Sequence, residues 1–146
     1  MVSDSRTPTI PNTYVNSLES PIRVSNYPDS NHGVTPVQIV TLNRPEKLNA
    51  ITSGMIDDLI TFFSTVDLDD RVKIIILTGA GGTFSAGIDL NADFSQEKDS
   101  LRPSEMRDPG GTLALAMFNC SKPVIVAYNG LSVGIGMTST LAATIR

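Results

Sequence analysis

Val72-Lys73-Ile74-Ile75-Ile76-Leu77-Thr78-Gly79-Ala80-Gly81-Gly82-Thr83-Phe84-Ser85-Ala86-Gly87-Ile88-Asp89-Leu90 holds three kinds of local chemistry in one stretch. Val72 to Leu77 is a β-branched apolar run, the pattern of a strand buried on both faces. Thr78 to Thr83 is a glycine-rich, flexible loop, and Phe84 to Leu90 is compact and built of small residues. The design returns later in the chain. Val124 to Tyr128 reads as a buried strand, Asn129-Gly130 as a turn, and Gly134 to about Ala143 as a buried helix of small residues. A strand, then glycines, then a helix is the step from which α/β folds are built.

The neighbouring segments fit that frame. Val37 to Leu42 reads as a strand, and Asn43-Arg44-Pro45 ends it, because Pro45 keeps Arg44 out of the helical region. Thr52 is placed to cap a helix running to about Val66. Met55, Ile56, Leu59, Ile60, Phe62, Phe63 and Val66 give that helix one broad apolar face. Asp57 and Asp58 lie early, near its positive end. Ile22 to Tyr27 alternates apolar and polar residues, as an edge strand does. Residues 91–109 are polar and without period, a surface loop. Leu113 to Phe118 reads as part of a helix, Lys122-Pro123 breaks after it, and Ile145-Arg146 begins another strand. The whole is an α/β arrangement with crossover helices.

Composition narrows the classes. The 146 residues are one domain's worth, with 40% apolar and 18% charged residues, the profile of a globular chain. A net charge of −4 with no basic patch argues against nucleic acid as the main partner. The single cysteine, Cys120, rules out an intrachain disulfide and a cysteine-based zinc site. The single histidine, His32, rules out any site needing two imidazoles. No apolar run approaches the ~20 residues needed to span a bilayer. The N-terminus carries no apolar core of a secretory signal. An intracellular compartment is expected, with cytoplasm, peroxisome and mitochondrion all open.

The two glycine segments are where chemistry would sit. Glycine lets a backbone approach a ligand closely, and the first N–H groups of a helix have no internal partner. Two such N–H groups aimed at one point form an oxyanion hole. Ordinary tight strand-to-helix turns would produce the same spacing. Gly79-Ala80-Gly81-Gly82-Thr83-Phe84 and Gly134-Ile135-Gly136-Met137-Thr138-Ser139 each match only the first part of a dinucleotide-binding G-x-G-x-x-G. Ser85 has no histidine near it in sequence. His32 reads as solvated and Cys120 as a small, half-buried residue.

Three motifs carry a resemblance. Leu42-Asn43-Arg44-Pro45-Glu46-Lys47-Leu48-Asn49-Ala50 resembles the opening signature of the enoyl-CoA hydratase/isomerase (crotonase) family. Thr83 to Leu90 resembles that family's first oxyanion segment. Lys122 to Gly130, continuing through Gly134-Ile135-Gly136, resembles the second. The motifs stand in the family's order, and the likeness covers about residues 22–146. It implies a crotonase-like spiral of ββα units of which this chain is the N-terminal part, cut short. Residues 1–33 would be a flexible segment with an edge strand, and residues 34–146 the crotonase-like part.

The resemblance further implies that the Ile88 and Ile135 N–H groups hold the oxygen of an acyl-CoA thioester. It places Lys47, Leu48, Ala86, Asp89 and Leu90 beside the CoA. A side-chain to backbone role in its own loop is the alternative for Asp89. No separate cofactor or metal is implied, since CoA is part of the substrate, and the family usually forms trimers or hexamers. Hydratases of the family carry a glutamate where this chain has Thr138, and a threonine hydroxyl cannot act as a base near neutral pH. Glu19, Glu46, Glu97 and Glu105 stand at none of the family's catalytic positions. A Δ3,Δ2-enoyl-CoA isomerase type is therefore expected. A hydratase-like parent and a catalytically inactive fragment are the alternatives.

Overall fold

The protein is described here from a computed structural model, over residues 9–91 and 108–146. The expected loop at 91–109 lies mostly outside those residues, as do Glu97 and Glu105.

Four strands form the main sheet: β1 (Ile22–Tyr27), β2 (Val37–Leu42), β3 (Ile74–Gly79) and β5 (Val124–Ala127), in the order β1-β2-β3-β5. β1 runs antiparallel to β2, with Ile22 opposite Leu42 and Tyr27 opposite Val37. β2, β3 and β5 are parallel, which requires crossovers. Helix α1 (Ser53–Asp67) supplies the first and helix α2 (Pro109–Asn119) lies in the second. β4 (Thr83–Ser85) leaves this sheet and pairs in parallel with β6 (Leu131–Ser132). Helix α3 (Ile135–Thr138) and a 3-10 turn (Ser139–Ala142) close the described chain. At the sheet's far side Ile145 bridges Ile125 in parallel, so the strand expected at Ile145 is present as a single bridge.

The pairing explains the core. Val24, Val40, Leu77 and Val126 stand side by side across all four strands, each buried. A period of two puts them on one face of the sheet. Met55, Leu59, Phe63 and Val66 of α1, with Leu113 and Met117 of α2, complete the same cluster. In the next row Asn26 and Gln38 are buried with Ile75 and Val124. Gln38 Nε2 donates to Asn26 Oδ1 (2.9 Å) and Thr35 O (3.0 Å), so the polar pair is bonded within the sheet.

Several boundaries differ from the sequence reading. The strand expected over Val72–Leu77 runs Ile74–Gly79, because pairing with β2 begins at Val37 and Ile74. Val72 is buried, but its N–H turns back to Asp69 O (3.1 Å). Ile75 and Leu77 on the inner face of β3 are buried, while Ile74 and Ile76 are only half-buried. The strand expected to Tyr128 stops at Ala127. α2 begins at Pro109, well before Leu113, since Asp108 accepts the Gly111 N–H (2.9 Å) and Pro109 suits the first turn. The helix expected over Gly134–Ala143 is one α turn followed by a 3-10 turn, with Gly136, Ser139 and Thr140 buried but Met137 and Leu141 exposed. Phe118, Leu131, Met137, Leu141 and Ile145 are large apolar residues left exposed. Among the described residues no helix is long and apolar enough to cross a membrane.

Residues 9–21 are bound to this body. Asn16 mimics a strand against β1, donating to Ile22 O (2.7 Å) and accepting from Val24 N–H (2.8 Å). Tyr14 stacks edge-on to Phe62 and donates its hydroxyl to Asp69 (3.0 Å). Asp69 is buried and also accepts from Arg71 Nε (2.9 Å) and Nη2 (2.8 Å), while Arg71 Nη2 reaches Pro11 O (2.6 Å). The Arg71 bonds outweigh burial and hold the Asp69 carboxyl down at about 2.

A carboxyl depressed in the folded state stabilises the fold above its unfolded value, near 3.8, and that stability drains away as the pH falls toward 2. The loss should be on the order of 2 kcal/mol. Burial, aided by the Asp69 bond, raises the Tyr14 phenol, so its contribution is kept below pH ~10 and lost above it. Urea unfolding of wild type and Asp69→Asn between pH 2 and 6 checks the acid limb. The difference between the two curves should shrink as pH falls, and a constant difference would refute the assignment.

Candidate active site

The site begins where β2 ends. Pro45–Lys47 form a 3-10 turn, and Leu48 and Asn49 follow in left-handed backbone, with φ of 51° and 54°. Asparagine tolerates that region better than other side-chain-bearing residues. Asn49 is fully buried and used on every side. Its Oδ1 accepts the Arg44 N–H (2.9 Å), and its Nδ2 donates to Ala80 O (2.9 Å) and Thr83 O (2.7 Å). The glycine loop is thereby tied to the turn after β2. Asn129 holds the same loop from the opposite side, accepting from Gly79 N–H (3.1 Å) and donating to Gly81 O (2.8 Å).

A short backbone ladder then brings the first segment in. Ala86 N–H donates to Leu48 O (2.9 Å), Ile51 N–H to Gly87 O (2.8 Å), and Asp89 N–H to Ile51 O (2.9 Å). A trans peptide points its C=O and N–H in opposite directions. With Gly87 O turned to Ile51, the Ile88 N–H is turned away from that ladder. The same reasoning applies to the second segment. Gly134 O accepts from Met137 (3.0 Å) and Thr138 (2.9 Å), so the Ile135 N–H leaves the first turn of α3 in the other direction. Neither N–H has an acceptor among the described residues.

The two segments lie against each other. Val133 N–H donates to Ser85 O (2.9 Å). Gly87, at φ 95°, comes so near that a Cβ there would stand 3.1 Å from Val133 O. That position demands glycine both for its left-handed backbone and for the approach.

Of the residues singled out from sequence, Leu48, Ala86, Ile88 and Asp89 meet around this ladder, with Lys47 and Leu90 at its ends. Ile135 joins through the Val133–Ser85 contact. Lys47, Leu48, Ile88 and Leu90 are exposed, Leu90 almost completely (93%). Asp89 is engaged within the protein: it accepts from Asn91 N–H (3.0 Å) and Arg44 Nη1 (2.9 Å). Those two bonds, the Asn91 one first, hold its carboxyl below the usual range. Arg44 Nη1 also donates to Ala50 O (2.7 Å). Thr138 is exposed, as are His32, Glu19 and Glu46. Cys120 is half-buried, and burial pushes its thiol up. No group of His, Cys, Asp or Glu among the described residues could hold a metal ion.

Sequence reasoning passed over Arg44, Asn49 and Asn129 and saw Ser85 only as a nucleophile without a base. Asn49 and Asn129 carried a usable signal, since each stands at a turn beside a strand end. The Arg44–Asp89 pair carried none, being joined across 45 residues.

The family model described as enoyl-CoA hydratase/isomerase matches residues 32–146. An enoyl-CoA hydratase of Alternaria alternata, AKT3-2, is 44% identical over 110 residues, covering 75% of this chain and 36% of that protein. The crystal structure of an enoyl-CoA hydratase/isomerase from Pseudoalteromonas atlantica superposes with a TM-score of 0.68 at 29% identity, over 86% of this chain and 45% of that one. A monofunctional enoyl-CoA isomerase from M. smegmatis gives 0.60 at 31%, over 76% and 44%. This chain thus spans less than half the length of these relatives. Its α/β architecture is that of the crotonase-like fold over the shared part. With three motifs in order and a match across most of its length, the chain belongs to the enoyl-CoA hydratase/isomerase family.

Proposed function

We propose that this chain forms the thioester-holding part of an acyl-CoA site. The Ile88 and Ile135 N–H groups would receive the thioester oxygen, and the reaction would be a shift of a carbon–carbon double bond in an enoyl-CoA. The observation that carries the reading is the pair of main-chain donors on adjoining segments, each turned away from its own ladder and free of a protein acceptor among the described residues. Removing a proton next to a thioester carbonyl builds an enolate whose charge gathers on that oxygen. One pre-aimed donor typically contributes ~3 kcal/mol to such a transition state.

The side chains around the ladder suit the rest of the substrate. Lys47 is an exposed cation for a CoA phosphate, and exposed Leu48 and Leu90 offer apolar surface to the pantetheine and adenine. Ala86 would leave room beside them. Asp89 would act through its loop, its carboxylate being committed to Arg44 and Asn91. CoA arrives as part of the substrate, and no separate cofactor is invoked. Thr138 favours the double-bond shift over hydration, because it supplies no carboxylate. Hydration is the second reading, favoured by the 44%-identical relative named as a hydratase.

Titration calorimetry with 2-enoyl-CoA thioesters of several chain lengths tests the binding. We expect heat from the thioesters that exceeds the heat from free CoA. Blank titrations at every length would end this reading, and binding of NAD but not CoA would favour a nucleotide site. A coupled assay with a 3-enoyl-CoA should show little turnover by the chain alone, because Thr138 offers no carboxylate, and clear turnover would overturn that expectation.

A further inference from the structure

Ser85 lies at the end of β4 and is fully buried. Its hydroxyl donates to Asn49 O (2.9 Å) and accepts from Gly87 N–H (3.1 Å), and its carbonyl accepts from Val133 N–H (2.9 Å). A fourth contact is steric. A Cβ on Gly136 would stand 2.6 Å from Ser85 Cβ and 2.9 Å from Ser85 Oγ, so the Gly136 backbone rests directly on this side chain. Only glycine permits that approach. Ser85 therefore touches the residue before Ile88 and the residue after Ile135.

We propose that Ser85 is the positioning residue that sets the spacing and aim of the Ile88 and Ile135 N–H groups, an inference that rests on the thioester reading above. Gly87 has the widest conformational freedom in the first segment, and the peptide carrying the Ile88 N–H hangs from it. The bond from Gly87 N–H to Ser85 Oγ fixes one side of that glycine, and Gly87 O on Ile51 fixes the other. The Oγ is in turn held in place by the buried Asn49 carbonyl, so the chain of bonds leads from the turn after β2 to the candidate donor. Ser132 reaches the same Gly136 contact at 3.4 Å, but its buried Oγ bonds to nothing among the described residues. It fills space where Ser85 ties segments together.

The test reads the carbonyl itself. A 2-enoyl-CoA carrying a ¹³C-labelled thioester carbonyl is bound to the full chain, and its stretching band is followed by infrared difference spectroscopy. Donors on the oxygen move the band to lower wavenumber. Ser85→Ala should keep most of the affinity but lose about half of that displacement, one donor's share of two. Gly136→Ala removes no hydrogen-bonding group of Ser85 and wedges the second segment away from it, and it should lose displacement in the same way. Circular dichroism selects the folded variants.

The outcomes separate the two readings. No displacement in wild type overturns the thioester reading itself. A wild-type displacement that survives intact in a folded Ser85→Ala or Gly136→Ala chain overturns the role of Ser85 alone. If neither variant folds, Ser85 is a structural pin for the whole domain, and the positioning role is overturned as well.

Discussion

Asn49→Ala should lower the free energy of unfolding by about 3–4 kcal/mol. Three hydrogen bonds disappear with the side-chain amide: those with Arg44 N–H, Ala80 O and Thr83 O. Each is worth ~1 kcal/mol net, and the groups left behind in a buried setting add to the loss. Alanine must also take up the left-handed backbone at φ 54°, at a cost of roughly 1 kcal/mol. Asn49→Gly separates the contributions, since it should recover the backbone part and none of the hydrogen bonds. Urea denaturation of the three proteins measures both. A loss below ~1 kcal/mol in Asn49→Ala would show that the glycine loop holds its shape without Asn49.

Phe63→Ala should cost about 3–5 kcal/mol, the range for emptying a phenylalanine site in a packed core. Phe63 is completely buried on the inner face of α1 and meets Phe62 edge-on at 5.8 Å between ring centres. The cost depends on how far the surroundings collapse into the space. Here the neighbours are strands tied into a four-stranded sheet and a second helix, which leaves little room for adjustment. Thermal and chemical unfolding should agree on the loss. A value under ~1.5 kcal/mol would mean that α2 moves in to fill the gap.

Legibility tracked the range over which each signal acts. α1 was readable because its cap, its apolar spacing and its length all lie within one window, and the Met55 N–H does bond to Thr52 Oγ1 (3.3 Å). β1 and β2 were readable because each alternates or ends at a proline. β3 slid by two residues because register belongs to the partner strand, and Val72 looks no different from Ile74 in sequence. β6 is two residues long and exists only through β4, so no local pattern could announce it.

The candidate site divides in the same way. Glycine spacing made both main-chain segments visible, since backbone approach leaves a mark in composition. The groups that hold those segments are polar side chains joined across long loops: Arg44 to Asp89, Asn49 to Thr83, Asn129 to Gly81. A polar residue in a loop, even one that marks a turn, carries no sign of which distant loop it will hold. Ser85 illustrates the difficulty, because a hydroxyl that invites a search for a catalytic base is instead bonded on both sides within the core.

The turn after β2 has one further consequence. Leu48 shares the left-handed backbone of Asn49 but none of its side-chain bonds, and the residue is 54% exposed. Glycine there would relieve roughly 1 kcal/mol of steric cost and forfeit little packing. The turn is thus a point of local frustration, where the residue type and the backbone it must adopt disagree. Natural chains concentrate such conflicts where shape serves something other than stability, and this one lies directly beside the ladder that orients Ile88.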